Sequence, residues 1–128
     1  MKILDTDHCV AVLRGRLDLQ GKIAPDEQLA ITAITVAELT HGAWRSIRAS
    51  QNLAAVDTLL AAIIVLPFDD GAARLFGALK AELESAGNVV ADLDLQIASV
   101  ALQHNSPRVT HNRQHFERIS GLQIEDWL

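Results

Sequence analysis

The sequence predicts an α/β domain in three layers, α/β/α, with a short-stranded parallel sheet in the middle. Two observations carry that expectation. Apolar runs of about three or four residues alternate along the chain with stretches whose apolar residues recur at helical spacing. No linker, repeat or low-complexity segment breaks the 128 residues, so a single domain is expected over 1–128. Crossovers between strands should be right-handed; the pattern leaves strand order open.

The elements follow in order. Lys2-Ile3-Leu4 reads as a strand, and 8–14 as a short helix stopped at Gly15. Residues 16–28 are polar, with a turn at Pro25-Asp26-Glu27, before a buried strand at Leu29-Ala30-Ile31. Thr35 is placed to cap a helix running to Trp44, with Val36, Leu39 and Ala43 on one side. Glu38, three residues after Thr35, completes a capping-box pattern. A helix over 52–62 leads to a buried strand, Ile63-Ile64-Val65-Leu66, ended by Pro67. The longest helix starts at Asp69 or Asp70, runs to Ala86 and closes at Gly87; its row of Leu75, Leu79 and Leu83, with Phe76 beside it, suggests a dimer contact. Residues 92–104 form a helix capped by Asp92 or a close neighbour, with Leu93, Ile97, Val100 and Ala101 inward. A strand at Arg108-Val109-Thr110, a brief helix over 114–118 and an edge strand at Leu122-Gln123-Ile124 complete the chain.

Composition narrows the function. With 49% hydrophobic and 21% charged residues the chain is globular, and no run is long enough to span a membrane. The acids at Asp5 and Asp7 argue against a signal peptide. Cys9 is the only cysteine, so no intrachain disulfide can form, and the cytoplasm is the default location. The net charge of -5 is awkward for a nucleic-acid protein, unless the acids chelate metal and the basic groups are localised or come from a second subunit. Neither a phosphate-binding Gly-x-x-x-x-Gly-Lys loop nor a dinucleotide Gly-x-Gly-x-x-Gly run is present.

The acids carry the chemistry. Asp5 ends a strand, where open α/β sheets place ligands, although it can also cap the next helix. Asp7 reads better as that cap or as a support for Asp5. Glu38, Asp92 and Asp94 each have a capping or helix-dipole role open to them. Together, Asp5, Glu38 and Asp94 can converge at one end of the sheet, where mutual repulsion calls for a cation. Oxygen ligands suit Mg²⁺, or Mn²⁺ as a substitute, and such an ion can activate water against a phosphodiester.

Four segments then carry a resemblance. Leu4-Asp5-Thr6-Asp7-His8, Ile34-Thr35-Val36-Ala37-Glu38-Leu39 with Gly42, Asp94-Leu95-Gln96-Ile97-Ala98-Ser99, and Val109-Thr110-His111-Asn112 with Phe116 and Gly121-Leu122-Gln123-Ile124-Glu125-Asp126-Trp127 resemble, in order, the motifs of PIN-domain ribonucleases, specifically the VapC toxins. The resemblance spans essentially the whole chain. It implies a PIN-like fold, a Mg²⁺-dependent endoribonuclease, a homodimer, and inhibition by a small cognate antitoxin. It also implies metal ligands at Asp5 and Asp94, with Glu38 as the third acid. The chain departs from the pattern at Asn112 and His115, near which these proteins often carry a fourth acid. Asp92 is the available substitute, and Asn112 and Thr110 can support the site by hydrogen bonding.

Remaining candidates are contact residues. His41, Trp44, Arg45 and Arg48 share helical spacing and suit single-stranded RNA, a protein partner or plain packing. Arg14, Arg16 and Arg113 are candidates for a phosphate path, while His111 and His115 are weaker candidates for acid–base work. A PIN domain that binds RNA or protein without cutting is the competing reading, and a DNA nuclease or phosphatase a third.

Overall fold

A computed structural model describes all 128 residues. Five parallel strands form one sheet: β1 (Lys2–Leu4), β2 (Leu29–Thr32), β3 (Ile64–Leu66), β4 (Arg108–Val109) and β5 (Ile124–Glu125). Their order is β3-β2-β1-β4-β5. From the central β1 the chain builds outward to β2 and β3, then crosses back and builds outward again through β4 and β5. The order therefore reverses between β1 and β4, and ligands of open α/β sheets settle in the crevice above such a reversal. Asp5 follows β1 and Thr110 follows β4, so both stand at that crevice.

Strand alternation divides the core between two helical layers. Leu4, Ile31 and Val109 face α1 (Thr6–Leu13), α2 (Ala33–Arg45) and α3 (Ala49–Ala62), where they meet Cys9, Leu39, Ala43 and Val56. Ile3, Ala30 and Leu66 face the opposite layer, α4 (Asp70–Ser85) and α5 (Asp92–Gln103), through Ala72, Val100 and Ala101. A third cluster joins Leu83 of α4, Leu95 and Ala98 of α5, and Phe116 of the four-residue α6 (Arg113–Phe116).

Several boundaries differ from the sequence reading, each for a local reason. Helix α2 is capped by Thr32, whose hydroxyl accepts from the Thr35 amide at 3.2 Å, so the cap lies three residues before the expected one. That removes Glu38 from any capping box. Helix α1 likewise starts at Thr6, with Asp5 itself as N-cap. Helix α5 is preceded by Ala91 without a side-chain cap, and Asp92 is its first residue. Strand β3 is an open edge: Ile64 and Val65 are exposed, and Leu93 is also turned outward. Of the expected row of Leu75, Leu79, Leu83 and Phe76, all but Leu75 pack into the third cluster; the exposed large apolar side chains are Trp44, Ile47, Ile64, Val65, Val89, Leu93 and Leu128. The expected closure of α4 holds, because Gly87 takes a φ of +73° and its amide bonds back to Glu84.

Removing the Thr32 hydroxyl leaves a buried amide without its partner. Thr32→Ala is expected to lower stability by about 1–2 kcal/mol, read from the midpoint of urea unfolding with an unchanged slope.

Candidate active site

The centre of the site is Asp5. It is buried at the end of β1, and its backbone amide still pairs with Val109 at 2.8 Å. One carboxylate oxygen accepts from the Thr6 amide at 2.8 Å. The other accepts from the Thr110 hydroxyl and from the Arg108 guanidinium, both at 2.7 Å. Thr110 is itself buried, and its hydroxyl oxygen also accepts from the Asn112 amide at 3.1 Å. The β4 exit thus fixes the Asp5 carboxylate and the turn holding Asn112 through one hydroxyl.

Asp94 approaches from the first turn of α5. It is half-buried, and its Oδ1 lies 3.6 Å from the same Arg108 nitrogen that binds Asp5. Its backbone carbonyl accepts from the other terminal nitrogen of Arg108 at 2.7 Å. Burial pushes the Asp94 carboxyl above the ordinary carboxylate range; Arg108 opposes the shift and the charge of Asp5 reinforces it. Glu38 reaches the same cleft from α2 and is held by the Thr6 hydroxyl at 2.8 Å. Thr6 therefore links the start of α1 to α2, with its amide on Asp5 and its hydroxyl on Glu38.

The cleft has a volume of about 560 Å³. Asp5, Glu38, Asp94 and Asn112 line it together with Arg14 and Arg16, so both expected arginines stand beside the acids. Asp7 also reaches it but is engaged with the His8 ring and the His111 amide, each at 3.0 Å. It supports the β4 exit from behind and does not cap α1. Asp92 is elsewhere: it is exposed, bonds to Lys80 at 2.9 Å and borders a separate depression, so it does not replace a fourth acid. His41, Trp44, Arg45 and Arg48 are exposed on or just beyond α2, outside the cleft. With Trp44 67% exposed, plain packing is excluded for it. Arg113, His111 and His115 line a neighbouring depression that shares Asn112 with the cleft.

In kind, the donors fit a hard divalent cation, since they are carboxylate oxygens facing one opening. In arrangement they fall short of a cage, because no three His, Cys, Asp or Glu side chains are grouped to hold an ion. The expected common point is thus a common cleft. Its physical cause is visible at Asp5, where a guanidinium, a hydroxyl and an amide already occupy the oxygens.

A model of the PIN domain matches residues 2–122. The chain belongs to the PIN-domain family. Among curated relatives it is 36% identical to the tRNA(fMet)-specific endonuclease VapC of Shigella flexneri over 133 residues, covering 98% of this chain and 96% of that one. It is 33% identical to Ribonuclease VapC2 of Rickettsia felis, with the same coverage. Among solved structures, DNA-bound VapBC from Salmonella typhimurium superposes with a TM-score of 0.92 at 34% identity, over 100% of this chain and 99% of that one. VapBC2 from Rickettsia felis, bound to a promoter DNA fragment, gives 0.92 at 31% identity, over 99% and 98%. Within the PIN family the chain is a VapC-type ribonuclease toxin, and the metal-dependent nuclease class follows from that membership.

Two side chains central to this PIN-domain cleft escape a reading of acid motifs: Thr6 and Arg108. Thr6 looks like spacing between two aspartates. Arg108 does leave a signal, because an arginine within a short apolar strand is anomalous unless it is paired.

Two expectations follow from burial. Desolvation, with the charges of Asp5 and Asp7, pushes the Cys9 thiol up to about 12. Cys9 should resist iodoacetamide at pH 8 in the native protein and react once urea unfolds it, as mass spectrometry of the quenched protein will report. Burial raises Asp7, but hydrogen bonds from His8 and from the His111 amide outweigh it and hold the carboxyl below its ordinary 3.8. Stability from that carboxylate is complete above 3.8 and is lost as pH falls through the lower folded value. The stability gap between wild type and Asp7→Asn should be open at pH 7 and close in acid, measured by urea titration at each pH.

Proposed function

We propose that this chain is the toxin of a toxin–antitoxin pair and cleaves RNA phosphodiester bonds in the cytoplasm with Mg²⁺, or Mn²⁺ in its place. The supporting observation is the meeting of Asp5, Glu38 and Asp94 with Arg14 and Arg16 in one cleft above the sheet reversal. Asp5 and Asp94 would hold the ion, with Glu38 as the third acid. When bound, the cation would supply Lewis acidity toward the scissile phosphate and make water more acidic.

The remaining work falls to the protein. Thr110 and Thr6 fix two of the carboxylates that line the cleft, Asp5 and Glu38. Glu38, held through one oxygen, keeps the other to orient the attacking water. Arg14 and Arg16 hold the phosphates flanking the cut, which the acids alone would repel. Asn112 offers an amide to a phosphate oxygen in place of a fourth carboxylate. Arg113 extends the basic path from the neighbouring depression.

The partner reading follows from the relatives. Several solved relatives are toxin–antitoxin complexes, two of them bound to DNA, and this chain is proposed to form a homodimer held by its own antitoxin. The exposed Trp44, His41 and Arg45 suit a protein contact or a strand of RNA. Two relatives carry tRNA(fMet) in their names, which makes that tRNA the first substrate to test.

Asp94 is a cleaner probe than Asp5, since loss of the Asp5 charge would strand a buried guanidinium at about 3–5 kcal/mol. Asp94→Asn is expected to lower metal-stimulated cleavage by about 10²-fold or more, with an unchanged circular dichroism spectrum. Full activity in the purified variant would refute the assignment.

A further inference from the structure

Arg108 stands where a cation is least expected. It is fully buried in β4, yet its guanidinium lies inside the acid pair, 2.7 Å from Asp5 Oδ2 and 3.6 Å from Asp94 Oδ1. Its other terminal nitrogen is fixed on the Asp94 carbonyl at 2.7 Å, and the ring of Phe116 stacks against it at 3.6 Å. Only Nε lacks a partner. A guanidinium keeps its charge permanently, and its planar fork suits two simultaneous acceptors.

We infer that Arg108 is a built-in counter-cation of the acid site: a positioning residue that holds Asp5 and Asp94 together without metal and sets how tightly, and how many, divalent ions bind. The inference deepens the metal-dependent reading above and rests on it. Arg108 is the cation in direct contact with Asp5 and Asp94, so it offsets part of their charge before any divalent ion arrives. A divalent ion must also share Asp5 with the guanidinium, so it binds weakly and alone.

The test is Mn²⁺ binding by isothermal titration calorimetry, with thermal melts of the metal-free proteins, on wild type, Arg108→Met and Arg108→Lys. Methionine fills the buried volume without charge, and lysine keeps a charge but loses the fork. Wild type should take one Mn²⁺ per chain. Arg108→Met should bind Mn²⁺ at least tenfold more tightly, melt at lower temperature without metal, and gain more from Mn²⁺ than wild type does. Arg108→Lys should fall between the two, and it decides the matter if Arg108→Met does not fold. Affinities within twofold of wild type in the folded variants, or two ions in wild type, overturn the counter-cation role while leaving the nuclease reading intact. If no protein binds Mn²⁺ at millimolar concentration, the metal-dependent reading falls and takes this inference with it.

Discussion

The ion pair between Arg108 and Asp5 is the interaction on which the cleft end of the molecule depends. Arg108 rises from β4, meets the acid that ends β1, binds the first turn of α5 and lies against Phe116 of α6. One side chain therefore ties four elements at the point where the sheet order reverses. Burying two charges costs several kcal/mol per ion, and only close, hydrogen-bonded geometry offsets it. The charge-assisted contact at 2.7 Å and the Thr110 hydroxyl on the same oxygen supply that geometry. The unpaired Nε is a residual cost of about 1–3 kcal/mol. Replacing both partners of such a pair by well-packed apolar residues is often neutral or stabilising, so stability alone is a poor account of the pair.

Around that pair, threonines convert the ends of β1, β2 and β4 into fixed positions for acids. Thr32 ends β2 and starts α2 in one residue, leaving no loop to absorb movement. Glu38 therefore rides on a rigid helix, six residues from its cap. Thr6 closes the remaining gap by hydrogen bonding to it. Because these hydroxyls are tied to backbone or carboxylate groups, the carboxylates keep their directions without the help of a bound ion. Fixed charges of this kind cost little reorganisation when a charged substrate arrives.

Much of this was legible in the sequence. Helical spacing and short apolar runs place the strands and helices, except that the last strand lies at Ile124–Glu125 and shares only Ile124 with the expected Leu122-Gln123-Ile124; the acids, with Arg14 and Arg16, line one cleft. Misreadings arose where local residues offered two equivalent answers, and either the local backbone or a distant partner chose. Thr32 and Thr35 are both capable caps, and the extended backbone at Thr32 decides between them. Asp92 and Asp94 both suit a helix start; Lys80 of α4 draws the first away, while Arg108 engages the second. Arg108 and Asp5 are separated by 103 positions, so neither neighbourhood reports the pair. Alternation in β4 gives the face of Arg108 but not the carboxylates waiting on it.

The net charge of -5 takes on a different meaning once the charges are placed. A uniformly acidic surface would hold RNA away, and long-range steering would act against association. Here the acids nearest the crevice are partly spent: Asp5 on Arg108, Asp7 on His8 and His111. Arg14 and Arg16 extend beyond the end of α1, on the rim of that crevice, where a cation also complements the carboxyl end of the helix. Attraction is thus confined to the neighbourhood of Arg14 and Arg16 at the crevice. A nuclease built this way gains little from indiscriminate electrostatic binding, and its selectivity must come from the fit of RNA at the crevice.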